Sequence, residues 1–268
     1  MIYKKFAASL CICVALLLCA CSETIGMGGS TTRGAYTSET EAQLMPPTEG
    51  VTTAVFVTSM GTFKAFLFET DAPMACQNFI GLANNGYFNG ISFHRVIKDF
   101  LVQSGDATGT GTGGSTIWNN NSFPVEVTDR LHHYSGALSM AHPQGDSLDN
   151  FSQFFVVATP QNSVGKDAQQ TLTDAGVREG VVTGYAQVGG APYLDNLNTV
   201  FGQIYSGMDV IDAIAAVATD ENGKPTTDVI LESVTIGQYS QAAEDAESAA
   251  AQSGTASSTV GSDAPVAP

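Results

Sequence analysis

Short β-prone runs recur along residues 51–238, and only two well-separated segments have helical spacing. No strand–helix–strand repeat appears, so a parallel sheet has no crossovers with which to form. Residues 52–59 (TTAVFVTS) and 62–69 (TFKAFLFE) flank Met60-Gly61 and read as a hairpin. In TDAPMACQNFIGLANNGYFNG, Thr70 or Asp71 can cap a helix and Pro73 suits its first turn. Ala75, Phe79 and Leu82 give helical spacing, and Gly86 lies past the end. Strand-like runs follow at 91–97, 100–104, 136–141, 153–158, 199–205 and 228–236, with a second helix at 207–217. The expectation is a mainly β fold: a closed antiparallel barrel with helices at its ends. Residues 160–191 interrupt the pattern as an insertion with two short helical stretches, Lys166 to Ala175 and Arg178 to Val188.

The ends have a different composition. Residues 1–20 (MIYKKFAASLCICVALLLCA) join a basic start, Lys4-Lys5, to an apolar run too short for a comfortable membrane span. Leu18-Cys19-Ala20-Cys21 resembles a bacterial lipobox. The resemblance implies cleavage before Cys21 and its lipidation, with diacylglycerol and palmitate as the lipid class, which would anchor a lipoprotein at the outer face of the bacterial cell membrane. A plain signal peptide with an incidental cysteine is the other reading. Residues 21–50 read as a flexible tether, and residues 239–268 as a disordered low-complexity tail. Removing the signal leaves Cys21 and Cys76, so with Cys21 lipidated no internal disulfide can form and a cysteine-built zinc site is excluded. The formal charge is −16, and −18 once Lys4 and Lys5 are removed; such a surface repels nucleic acid.

Within the strands, FHRVIKDFLVQSGD at 93–106 places Arg95 and Gln103 among apolar residues. A buried cation is costly unless it is paired or used. Alternation puts Phe93, Arg95 and Ile97 on one face, His94 and Val96 on the other, and Leu101 with Gln103. Arg95 could pair with Glu126 or Asp106, or it could serve a site. His132 and His133 would face opposite ways in a strand, which makes a poor metal pair. The loop GTGTGG lacks the Lys-Ser/Thr of a phosphate cradle, and no Gly-x-Ser-x-Gly elbow is present. Cys76 reads as a buried, inert thiol.

FHRVIKDFLVQSGD resembles the signature of the cyclophilin family of peptidyl-prolyl cis-trans isomerases. Further motifs follow in the family's order: Gly111-Thr112-Gly113-Gly114, LSMA at 138–141, SQFF at 152–155, YLD at 193–195 and VFG at 200–202. The resemblance covers residues 51–238 and implies an eight-stranded closed antiparallel barrel capped by two helices. It implies Arg95 as the catalytic arginine. Phe100, Leu101, Phe155 and Leu194 would be proline-pocket walls, with Leu101 where methionine is usual. Gln103 and Gln153 would bind peptide backbone and Ala141 would contact substrate, while Gln103 would also orient Arg95. His142 stands where asparagine is usual, Tyr193 where many members have tryptophan, and Asn198 where histidine is common. The changes at Tyr193 and Asn198 imply weak cyclosporin binding. The expected activity is rotation of X-Pro bonds in folding extracytoplasmic proteins, without cofactor or metal, by a monomer. A catalytically weak module that holds proline-containing segments is the alternative.

Overall fold

The computed structural model of the protein describes residues 41–142 and 149–256. The signal and lipidation expectations, Cys21 included, lie outside the described residues. The element order is β1 (Thr52–Thr58), β2 (Gly61–Leu67), α1 (Pro73–Asn84), β3 (Ile91–Ser92), β4 (Arg95–Ile97), β5 (Leu101–Ser104), β6 (Ala137–Met140), β7 (Phe154–Val157), α2 (Lys166–Asp174), α3 (Glu179–Val188), β8 (Val200–Ser206), α4 (Met208–Ala215), β9 (Ile230–Gln238) and α5 (Gln241–Ala256). β1 and β2 form the expected hairpin around Ser59-Met60, with Thr58 opposite Gly61. The two helical stretches of the insertion are α2 and α3.

Among the described residues one sheet holds all nine strands, in the order β3-β9-β1-β2-β8-β6-β7-β5-β4. The expected closed eight-stranded barrel is therefore corrected to a curled nine-stranded sheet whose ladder does not close. Its two edges, β3 and β4, are halves of one segment joined through Phe93-His94. Nine flat strands would separate those edges by roughly 38 Å, and the three residues from Ser92 to Arg95 span at most about 11 Å. The sheet must curl. The expected run 91–97 is split because β3 pairs with β9 and β4 with β5.

The break also changes side-chain parity. Phe93 lies in the main core with Val96, and does not share the face of Arg95 and Ile97. That core fills the inside of the curl with Phe56, Phe63, Phe79, Phe154 and Phe201. It is covered by Ala75, Phe79 and Leu82 of α1 and Ile211 and Ile214 of α4. Phe56 and Phe63 stack at 4.4 Å, and Phe79 meets Phe154 edge-on at 5.7 Å.

Neither Thr70 nor Asp71 caps α1. Its N-cap is Ala72, which offers no side-chain bond. Glu126 supplies both acceptors from a distant loop, taking the Met74 N–H at 3.0 Å and the Ala75 N–H at 2.9 Å. Asp71 pairs with Arg130.

Residues near the two ends also have structure. Gln43 and Leu44 are buried. α5 occupies part of the stretch read as a disordered tail, and its Glu244 and Glu247 hold the Lys64 ammonium at 2.9 and 2.6 Å.

Candidate active site

Antiparallel register assembles the site. Arg95 of β4 lies opposite Gln103 of β5, which lies opposite Phe155 of β7. Phe155 in turn lies opposite Ser139 of β6, and Ser139 opposite Val200 of β8. Residues directly opposite point to the same face. One row across five strands therefore carries a cation, an amide, an aromatic ring, a hydroxyl and an apolar group outward. The neighbouring row, Val96, Val102, Val156 and Leu138, points into the main core. The cation is tolerated because it belongs to the outer face.

Arg95 is half-buried, and its Nη1 donates to Gln103 Oε1 at 3.2 Å. Among the described residues no carboxylate lies within ion-pair distance of it. Glu126 serves the α1 N-terminus, and Asp106 is engaged with its own loop. Gln103 Nε2 donates to Gln153 Oε1 at 2.9 Å. Gln153 Nε2 donates to the Gly111 and Gly113 carbonyls at 3.0 and 2.7 Å. The glycine loop is thus the far support of the guanidinium.

Asp106 ties that loop together. Its Oδ1 accepts from the Thr108 N–H and hydroxyl at 2.8 and 2.7 Å. Its Oδ2 accepts from the N–H groups of Thr110, Gly111 and Gly113 at 3.1, 2.8 and 3.1 Å. Burial pushes this carboxyl up, but the Thr108, Gly113 and Gly111 hydrogen bonds outweigh it and set the pKa at about 2. A Cβ at Gly113 would stand 2.2 Å from Asp106 Oδ1, so the loop needs glycine there.

Beside the row lies an apolar cluster. Leu101, Phe155, Ala141 and Val200 are buried in it, and Phe100 and Leu194 pack against it half-buried. The structure thus brings together the four expected pocket walls, Phe100, Leu101, Phe155 and Leu194. Tyr193 stands on the rim, 64% exposed, with its ring 5.9 Å from that of Phe100. Ala141 spends its N–H on the Gln153 carbonyl at 2.9 Å. His142 places Nε2 3.1 Å from the Leu197 carbonyl. Asn198 Nδ2 donates to the Met140 carbonyl at 3.1 Å.

Cyclophilin-type peptidyl-prolyl cis-trans isomerase is the family whose model matches residues 53–236. The chain belongs to the cyclophilin family. A Staphylococcus saprophyticus protein provisionally named a peptidyl-prolyl cis-trans isomerase is 42% identical over 175 residues, which are 65% of this chain and 85% of that one. A Streptococcus pyogenes protein provisionally named a bifunctional phosphatase/peptidyl-prolyl cis-trans isomerase is 42% identical over 67% of this chain. This chain spans only 37% of that protein's length. Among solved structures, a Cryptosporidium parvum cyclophilin aligns with TM-score 0.56 and 26% identity, over 71% of this chain and 99% of that one. The same cyclophilin in the presence of the dipeptide Ala-Pro aligns with TM-score 0.55 and 27% identity, over 70% and 99%.

Sequence reasoning missed the environment of the two histidines. They do not lie in a strand facing opposite ways. Both Nδ1 atoms converge on Asp195, each at 2.9 Å. The participants lie some 60 residues apart, and no local pattern links them.

Proposed function

We propose that this cyclophilin accelerates rotation about X-Pro bonds, with Arg95 as the catalytic residue. The barrier to that rotation, about 18–20 kcal/mol, comes from amide resonance. Reaching the millisecond range requires roughly five decades, or about 7 kcal/mol of transition-state stabilisation. No bond is cleaved, so no nucleophile is required. In the twisted state the imide nitrogen regains its lone pair, and a guanidinium aimed at it favours that state over either planar isomer. Phe100, Leu101, Phe155 and Leu194 hold the proline ring while the preceding carbonyl swings. Exclusion of water there strengthens the Arg95 interaction. Gln103 orients Arg95 and, with Gln153, offers groups to the peptide backbone. Ala141, His142, Tyr193 and Asn198 line the approach.

One observation carries this reading: Arg95 is bonded to an amide rather than to a carboxylate, in the row that contains Phe155. The proposed setting is extracytoplasmic. Cys21 would carry the lipid anchor, and clients would be folding secreted proteins whose X-Pro bonds exchange slowly. The test is a proline-tetrapeptide isomerisation assay on the full-length chain. Wild type should accelerate exchange, and Arg95→Ala should lose about two to three decades of kcat/KM with its circular dichroism unchanged. Equal inertness of the two would leave the chain a binding module.

A further inference from the structure

Asp195 follows Tyr193 and Leu194 at the end of the 3-10 turn Pro192–Leu194. Its Oδ1 accepts from the backbone N–H and the Nδ1 of His133, both at 2.9 Å. Its Oδ2 accepts from His132 Nδ1 at 2.9 Å and the Tyr185 hydroxyl at 2.8 Å. The side chain is only 16% exposed. Burial pushes the carboxyl up, but the bonds from His132 and His133 outweigh this and hold it well below the usual carboxylate range. Four donors fill the positions that two carboxylate oxygens offer.

Three of these donors come from the loop that leads into β6. The fourth, Tyr185, comes from α3 of the insertion. Tyr185 is buried beside Tyr134 at 4.6 Å and packs with Val164, Val181 and Val188 in a small second core that Tyr134 and Leu44 complete. On the other side, the His133 ring lies nearly parallel to that of Phe155, at 6.1 Å and 15°. Its Nε2 is 3.0 Å from Ser139 Oγ. Asp195 thus orients the His133 ring through Nδ1, which donates to it, while the Ser139 hydroxyl beside Nε2 donates to the Thr199 carbonyl at 3.1 Å. Ser139, His133 and Asp195 stand in the order of a nucleophile, base and acid. Ser139, however, is 0% exposed, so no substrate carbonyl can reach its hydroxyl. The chain of contacts holds parts in place and does not attack.

What it holds is two walls of the proline pocket. Leu194 precedes Asp195 in the chain, and Phe155 lies against the ring that Asp195 orients. The turn that carries Leu194 is pinned before it by the Ala191 N–H to the His133 carbonyl at 2.8 Å, and after it by Asn198 on Met140. Between those pins lie two ties, Asp195 and the Leu197 carbonyl 3.1 Å from His142 Nε2; of these Asp195 is the one next to Leu194. We propose that Asp195 is a positioning residue for the proline pocket, and that the insertion at 160–191 acts on that pocket through Tyr185. The proposal rests on the isomerase reading for kcat, and on the pocket alone for affinity.

The test uses the full-length chain as wild type, Arg95→Ala, Tyr185→Phe and Asp195→Asn. It measures kcat, KM, the Kd of a proline tetrapeptide by chemical-shift titration, and the thermal midpoint. Tyr185→Phe keeps the ring packing and removes one donor, so it decides the matter even if Asp195→Asn unfolds. Its KM and Kd should rise about three- to tenfold, a fraction of the full worth of one hydrogen bond to a charged group, while kcat stays within about twofold. The Leu194 methyl and Phe155 ring resonances should shift. Asp195→Asn should weaken binding further. Unchanged KM and Kd in Tyr185→Phe overturn the proposal, even where the midpoint falls. Inert wild type overturns the isomerase reading instead, and the Kd comparison still decides the role of Asp195.

Discussion

Asp106→Asn probes the support beneath Arg95. The wild-type carboxylate is 1% exposed and has a pKa of about 2, against an ordinary value of 3.8. A depressed folded value means the folded state binds the proton less readily than the unfolded chain. The stabilisation is therefore complete above the unfolded value and is lost as pH falls through the folded one. The difference is worth about 2 kcal/mol, lost between roughly pH 5 and pH 2. An asparagine has one carbonyl oxygen, and its NH2 would face the N–H groups of Thr110, Gly111 and Gly113, donor against donor. Urea unfolding of both proteins across that pH range is the assay. At pH 5 the variant should be less stable by about 2–4 kcal/mol, and the gap should narrow by about 2 kcal/mol by pH 2. Other carboxylates, Asp195 among them, titrate in both proteins and cancel in the comparison. Parallel curves would refute the assignment of this charge to the loop. At neutral pH the variant should also lose kcat, since the loop braces Gln153, Gln153 braces Gln103, and Gln103 holds Arg95.

Glu126→Ala should cost about 1–2 kcal/mol of stability by denaturant titration, because the Met74 and Ala75 N–H groups lose their acceptors at a helix N-terminus. Glu244→Gln with Glu247→Gln leaves the Lys64 ammonium under α5 without a counter-ion. The pair should lower stability by about 1–2 kcal/mol, and adding Lys64→Met should restore it, as read by thermal denaturation. Cys76 is buried in α1, and burial pushes its thiol up. Peptide mapping after iodoacetamide treatment of the native protein at pH 8 should find Cys76 unlabelled, and denaturation should expose it.

The candidate site residues were legible chiefly through the motifs that resemble the cyclophilin family. Alternation by itself linked Leu101 with Gln103, and that period of two survives in β5, while Gln153 lies one residue before β7. The parity argument failed at Phe93, where the strand breaks to pass from one sheet edge to the other, and nothing local marks that break. Contacts distant in sequence were silent. Glu126 caps α1 across 51 and 52 residues, and Asp195 gathers a turn, a loop and an inserted helix. For α5 the signal was present. Alanine has the highest helix propensity, and reading 239–268 by composition alone discards it.

β9 lies between β1 and β3, so residues 230–238 fill a slot flanked by segments made much earlier. A chain arriving amino end first would carry two bare flanks until its last strand emerged. Assembly is thus deferred to the close of synthesis and tied to long loop closure. Until then both flanks are templates on which a second unfinished copy could add.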